Sequence, residues 1–449
     1  MQFLLSSELI DQIKALIAAQ DDKGLQELLH DVHHADIAEI LDEVNGEEAT
    51  YLVRLLDSEQ TSEAIMELDE DVREKLLDQL TPLEIAGEIE EMDTDDAVDM
   101  IAELDDDVQR AVIAQIEDEG HKADIREMLQ YDENSAGGLM AKELIRVKET
   151  WTVAGCVREM RRQAEEVTRV HSIYVVNQND ELIGRLSLKD LLTSTTTTKI
   201  SEIYIPKVDF VNVNDPAEDV AKIMQKYDLE AVPVVDDNKR LLGRITIDDI
   251  VDFIKDEADK DYQMAAGISQ DVDTEDSILT LTRARLPWLF LGLLGGVGAA
   301  AIMGGFEEVL QNHVILLLFT PLIAAMAGNV GVQSSAIIVQ GLANDDVKGS
   351  IGHRLLKEMF LAMLNGAALA IVLFFFVWIS EGAIGYAASI SISLFVVIIV
   401  AGLIGTFIPL FLHKRGIDPA IATGPFITTS NDIFGILIYL SIAKLILGI

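Results

Sequence analysis

The sequence predicts a multidomain protein: an α-superhelical N domain, an α+β tandem pair, a connecting helix and an all-α polytopic membrane domain with five transmembrane helices. Three observations carry this expectation. Charge is segregated along the chain, one strand–turn–strand–helix segment recurs 59 positions later, and five long apolar stretches follow residue 281. A chain of 449 residues also exceeds the ~250–300 residues at which single cores stop growing.

The N-terminal part is acidic. Residues 281–449 carry eight acids and eight Lys or Arg, so 68 of the 76 acids and 26 of the 34 bases lie in residues 1–280. The net charge of −42 belongs to that first part. Such a surface attracts cations and is unsuited to nucleic acid, whose phosphates demand positive partners. A single cysteine, Cys156, excludes an intrachain disulfide and suits a reducing compartment. "MQFLLSSELIDQIKALI" lacks a basic start and a long apolar core, so no secretory signal is expected.

Residues 1–135 read as short helices. "ADIAEILDEV", "EIAGEIEEM" and "DDAVDMIAEL" share apolar stripes at helical spacing, and turn and cap residues mark the starts in "LTPLEIAG" and "MDTDDAV". The expectation is an α-superhelix whose period is too irregular to name.

Residues 136–250 change to β-branched runs alternating with helices. "IYVVNQNDELIGRLSLKDLL" (173–192) recurs as "VPVVDDNKRLLGRITIDDIV" (232–251), with Val175, Val176, Gly184, Arg185 and Asp190 matching Val234, Val235, Gly243, Arg244 and Asp249. The two copies, about 136–195 and 196–250, resemble a tandem pair of cystathionine-β-synthase (CBS) domains. That resemblance implies a Ser/Thr-x-x-Asp motif able to hold ATP or another adenine nucleotide, through Ser187 and Asp190 in one copy and Thr246 and Asp249 in the other. The same residue types also cap helices in pairs that bind nothing.

Residues 251–280 form the connecting segment. Asp249, Asp252, Asp256 and Asp259 recur at helical spacing and share one face. Like charges so spaced destabilise a bare helix, and divalent cations would relieve the repulsion. A solvated face is the alternative.

Residues 281–449 hold the spans, roughly Leu286–Phe306, Val314–Ala343, Met359–Ile379, Ala388–Leu412 and Pro419–Ile449. Each reaches the ~20 residues a spanning helix needs. The second and fifth are longer than required, which implies tilt, or kinks at Pro321 and Pro425. Arg283, Arg285, Lys348, Arg354, Lys357, Lys414 and Arg415 occupy one set of flanks and loops, while the opposite loops have no Lys or Arg. The positive-inside rule therefore predicts a cytoplasmic N-terminal part and an extracytoplasmic C-terminus. Asn329, Gln333, Ser334, Ser335, Thr423, Thr428, Thr429, Ser430 and Asn431 are too many polar groups for lipid-facing helices and are expected to face a wet interior.

Within those spans the one acid is Asp432, in "FITTSNDIFGILIYL" (426–440). Counted from Pro419 it lies ~20 Å along a helix, near or beyond the bilayer midplane. Lys444 is ~18 Å further on, too far to pair with it. An intramembrane acid is a functional site by default, and carboxylates set symmetrically around a pore favour cations. Mg²⁺ sheds water reluctantly, so such a site suits the hydrated ion. Another divalent cation such as Co²⁺ is the alternative cargo, disfavoured by the absence of His or Cys in the middle of a span. An intramembrane aspartyl protease would need two carboxylates sharing a proton. A nucleotide sensor without transport leaves Asp432 unexplained.

"ADIAEIL", "NSAGGLM", the CBS pair, "ARLPWL", "AGNVGVQSSA" and "DPAIATGPFITTSNDIFG" occur in order, and through them the whole chain resembles the MgtE family of magnesium transporters. The resemblance implies no enzyme but a homodimer in the inner (plasma) membrane, with five spans per subunit and a pore on the two-fold axis. Asp432 would hold hydrated Mg²⁺ there, with Gly328, Asn329, Gly424 and Thr428 along the path. It implies further that Mg²⁺ binds among the cytoplasmic parts and closes the pore. Asp249, Asp252, Glu257 and Asp261 match acids of the connecting (plug) region, Glu218 and Asp228 match acids of the second CBS copy, and Asp93 and Asp96 stand for the facing acids of the N domain. The chain departs from the family's pattern at Ala327, often Gly, at Thr423, often Ser, and at Lys260, where relatives can be acidic.

Overall fold

The computed structural model describes residues 5–448 except 165, 166, 168, 271, 273, 275, 344–346, 348, 349 and 423. Lys348 and Thr423 therefore lie outside the described residues. The chain forms two compact units, Met1–Lys255 and Asp256–Ile449.

The first unit opens with ten short helices, from α1 (Ser7–Ala19) to α10 (Glu119–Met128). Side-chain oxygens define the starts. Asn45 with Glu48, and Thr81 with Glu84, form reciprocal capping boxes, which satisfy backbone N–H groups left over at a helix start. α5 (Ser58–Met66) packs between α3 (His34–Glu43) and α7 (Pro82–Ile89), and α7 in turn packs on α9 (Asp106–Gln115). Along this row each helix stacks on the next but one, as α4 (Gly46–Leu55) does on α6 (Glu70–Leu77) and α8 (Thr94–Ala102) on α10, which winds a superhelix. The structure reveals the period that the sequence conceals. Side-chain hydrogen bonds join residues 29 apart (Gln26 to Leu55, Thr50 to Gln79), 30 apart (Arg54 to Glu84, Arg73 to Glu103) and 31 apart (Gln60 to Leu29). The bond types differ from turn to turn, so the repeat is one of shape.

One contact in this stack predicts a pH dependence. Glu88 on α7 is 6% exposed and accepts a 2.7 Å hydrogen bond from the buried Thr61 hydroxyl on α5. Burial pushes its carboxyl up to about 7, against the Thr61 bond and helped by nearby Glu91 and Asp57. The native state then keeps a proton that the unfolded chain gives up near pH ~4.3, so stability falls as pH rises from there through about 7. Glu88→Gln is expected to stabilise the protein at pH 8 by on the order of 2 kcal/mol and to change little at pH 4. Thermal unfolding at both pH values checks this; equal shifts at both would remove the buried acid as the cause.

The α+β part contains two three-stranded sheets of identical plan. β1 (Ile145–Lys148) runs parallel to β2 (Ile173–Val176), which pairs antiparallel with β3 (Leu182–Leu186). β4 (Val211–Asn212), β5 (Ala231–Val235) and β6 (Leu241–Thr246) repeat this. Val175 faces Gly184 as Val234 faces Gly243, and both copies break register one residue later. The 59-residue offset of the sequence is thus an offset of register. α11 (Val153–Gln163) and α12 (Leu188–Thr193) flank the first sheet in the chain, and α13 (Ala217–Tyr227) and α14 (Ile247–Ala266) the second. The core of the helical stack continues into the second copy through Ala136, Met140 and Val213.

Among its described residues the second unit contains five helices long and apolar enough to cross a membrane: α15 (Ile278–Gly305), α17 (Val314–Ala343), α18 (Ile351–Glu381), α19 (Ile384–Lys414) and α20 (Gly424–Leu447). A short α16 (Glu307–Asn312) joins the first two. α19 is central and packs on α17, α18 and α20, while α15 packs on α20. Tyr439, fully buried, donates to the Leu316 carbonyl at 2.9 Å and ties α20 to α17.

Three expectations change here. Pro425 is the second residue of α20, where its missing N–H costs nothing, so it starts a helix instead of bending one. Pro419–Ala422 form a separate 3₁₀ turn, so Asp432 lies ~12 Å into its helix, nearer the start than a count from Pro419 gives. α18 begins well before Met359, so Glu358 also lies inside a spanning helix.

Candidate functional site

The membrane unit positions Asp432 against the small residues of α17. A methyl group added at Gly328 would lie 3.1 Å from the Thr428 methyl and 3.6 Å from Asp432 Oδ1. Gly328 is therefore what lets Thr428 pack against the α17 backbone, and the Asp432 carboxylate lies within ordinary contact distance of the same spot. The Thr428 hydroxyl donates to the Gly424 carbonyl at 3.0 Å. Asp432 is partly buried, and among the described residues no hydrogen bond or ion pair holds its carboxylate. Asn329 and Gln333, one turn apart, are exposed on α17 in the single chain. Sequence reasoning expected them in a wet interior; one copy alone does not enclose them.

Gly424 stands at the start of the Asp432 helix with φ +42°. A side chain there would overlap the Ala265 carbonyl at the end of α14, and Gly267 packs on Pro425. The connecting helix thus ends against the N-terminus of α20, at the end of the helix nearer Asp432.

The first unit builds a second acidic site at the start of α8 (Thr94–Ala102). Asp93 occupies the N-cap position but makes no capping bond. Its Oδ2 accepts instead from Arg244 Nη2 at 3.0 Å. Glu143 supplies the cap, its Oε2 accepting from the Thr94 N–H at 3.2 Å and the Thr94 hydroxyl at 3.0 Å. Arg244, buried on β6, also donates to the Glu143 carbonyl at 2.6 Å. Carboxylate oxygens of Asp93, Asp95 and Glu143 all lie within 4.8 Å of one another.

Charge at this site is under-compensated. Burial, then Asp96, Asp249, Asp93 and Glu143, push the Asp95 carboxyl well above its usual range. Burial, then Asp249 and Asp93, bring Asp96 to about 7. Glu143 and Asp249 are raised as well, each chiefly by burial. A set of carboxylates held together against mutual repulsion is an all-oxygen donor set for a hard divalent cation, and the spacing fits an ion bound directly or through its water.

Asp93, Asp96 and Asp249 are therefore brought together. Asp95 and Glu143 join them although the sequence did not single them out. Asp252, Asp256 and Asp259 lie exposed along α14, with Glu257 and Asp261 partly exposed. Glu218 and Asp228 sit at opposite ends of α13, the first 3.7 Å from Lys222 and the second in a left-handed C-cap, so one ion does not serve both. The two Ser/Thr-x-x-Asp motifs differ. Asp249 Oδ2 accepts from the Thr246 N–H at 2.9 Å and its hydroxyl at 2.5 Å, closing that motif on itself. Ser187 makes no capping bond, and Asp190 leaves it open.

These features define a class: a multi-pass membrane protein with a carboxylate in its helical bundle and an acidic N-terminal part that contains tandem CBS domains. Family models match in the same order. The MgtE intracellular N domain matches residues 32–134, the CBS domain 136–195 and 200–256, and the divalent cation transporter domain MgtE 320–442. A magnesium transporter MgtE of Thermus thermophilus is 32% identical over 99% of this chain and 99% of its own length. Another, of Enterococcus faecalis, is 37% identical over 72% of this chain and 71% of its own. The crystal structure of the cytosolic domain of the Mg²⁺ channel MgtE in complex with ATP is similar at TM-score 0.52 and 31% identity, over 54% of this chain and 99% of that one. The chain belongs to the MgtE family of magnesium transporters.

Proposed function

We propose that the chain carries Mg²⁺ through a path on the axis of a homodimer, that Asp432 meets the hydrated ion there, and that Mg²⁺ bound at the α8 acids shuts the path. The observation that carries the reading is the Asp432 carboxylate itself, partly buried beside Gly328 with no cation to answer it among the described residues. A carboxylate inside an apolar bundle is costly unless it serves an ion.

Two exposed surfaces support a second copy. On α17 the polar stripe of Asn329, Gln333 and Gln340 is unsuited to lipid and would line a water-filled path between subunits. In the soluble unit Leu188 and Leu192 on α12, with Ile247, Val251 and Ile254 on α14, are exposed, at spacings that make apolar stripes suited to an interface. The basic flanks favour a cytoplasmic N-terminal part in the inner membrane. Oxygen-only donors favour Mg²⁺ over Co²⁺ as cargo. An adenine nucleotide is better served by Ser187 and Asp190 than by the closed Thr246–Asp249 pair.

The gate reading predicts a coupling between protons and Mg²⁺. Carboxyls pushed up by burial and crowding cost native stability as pH rises from ~4 through about 7. An ion at the site must displace the remaining protons. Millimolar Mg²⁺ is therefore expected to raise the melting temperature of the purified protein by about 4–8 °C at pH 8 and by little at pH 5.5. A Mg²⁺ effect independent of pH would place the ion elsewhere. The transport reading is tested by Mg²⁺ uptake into proteoliposomes carrying wild type or Asp432→Ala, at low and high Mg²⁺ on the cytoplasmic face.

A further inference from the structure

α18 carries an acid, Glu358, that faces the helical bundle. Glu358 lies ~10 Å along α18 from Ile351. It turns inward, and the buried Ser334 hydroxyl of α17 donates to its Oε1 at 2.6 Å. α19 closes the third side, where a methyl group added at Gly402 would lie 3.0 Å from the same oxygen and 3.6 Å from Ser334 Oγ. Three spans thus meet around one carboxylate oxygen.

The surroundings give this contact a task. One turn away, α17 meets α19 so closely that a side chain at Gly405 would overlap the Gly331 carbonyl. A side chain at Gly331 would overlap Asn431 of α20. One turn further, Gly328 faces Thr428 and Asp432. The seam of α17 is therefore lined by glycines, which let backbones approach closely, and where α17 meets α19 at Gly331 and Gly405 the contact is backbone on backbone, with no side chain there to stop one helix sliding along the other. A polar tie at one end of such a seam sets its register, and a partly buried charge-assisted hydrogen bond is among the stronger ties available.

We infer that Glu358 is a positioning residue for transport: through Ser334 it holds α17 in the register that sets Gly328 opposite Asp432. This rests on the reading of Asp432 as the acid that meets the ion. Glu358 itself touches neither Asp432 nor the cargo.

The test uses the full chain in proteoliposomes and reads the Mg²⁺ concentration for half-maximal uptake, the preference for Mg²⁺ over Ca²⁺, and the melting temperature. Glu358→Ala and Ser334→Ala are each expected to raise the half-maximal concentration about tenfold and to erode the preference. The double variant should be no worse than Glu358→Ala, because both remove one bond. Glu358→Gln keeps an acceptor oxygen and should restore most of the loss. The inference is overturned if Glu358→Gln is as impaired as Glu358→Ala, if the two alanine effects add, or if only the melting temperature moves. Asp432→Ala runs in parallel. Uptake that survives in that variant sinks the pore reading itself, whereas uptake lost there but untouched by Glu358→Ala sinks only the role of Glu358.

Discussion

Asp432→Ala is expected to lower Mg²⁺ uptake at least ~100-fold with the protein still folded. The side chain makes no hydrogen bond or ion pair among the described residues, so its removal breaks no native tie. It shortens a partly buried group beside Gly328, which costs little packing. A structural acid would behave oppositely: losing it would unsettle a partner and leave transport of the folded fraction intact. Asp432→Asn separates charge from shape further. If the carboxylate bonds to the water shell of the ion, Asn keeps a hydrogen-bond acceptor but loses the charge that holds a divalent cation in a low-dielectric bundle. Asn is therefore expected to fall close to Ala. Selective uptake at wild-type rates in Asp432→Ala would move the ion path to another face of α17 and α20.

What was legible in the sequence follows from contrast. Asp432 stands out because a lone acid in an apolar run has few innocent explanations. The CBS pair stands out because Gly184 and Gly243 sit at the same sheet register, facing Val175 and Val234, and sheet register preserves sequence spacing. The acidic site at α8 was only half legible. Asp93 and Asp96 could be placed by resemblance, but Asp95 and Glu143 are two among 76 acids, joined by a fold that brings a loop back to the start of α8. The stack period stayed hidden because an Arg–Glu pair at one level is a Thr–Gln bond at another. Glu358 was missed through a boundary, since Arg354 and Lys357 beside it made the stretch read as a loop.

The second large effect belongs to regulation. Asp95→Asn with Glu143→Gln is expected to raise the cytoplasmic Mg²⁺ needed to suppress uptake by at least ~10-fold. The pair is chosen so that little else changes. Asp93 keeps its bond to Arg244, and the amide that Glu143→Gln introduces retains an oxygen to cap Thr94 in place of the carboxylate. Two negative charges leave a site where charge is in excess, so the metal-free protein at pH 8 should become more stable while its Mg²⁺-induced stabilisation shrinks. A change that merely damaged the unit would lower both. The size of the effect has a limit set by arithmetic. Shifting a gate from 1:99 to 99:1 takes ~5.5 kcal/mol of differential binding, more than one weak carboxylate site supplies, so the other acids of α14 would retain part of the closure. By linkage, whatever favours the shut state must in turn tighten Mg²⁺ at the α8 acids. Suppression of uptake at unchanged Mg²⁺ in the double variant would make the cluster a structural charge knot and leave the sensing ions to the exposed acids of α14.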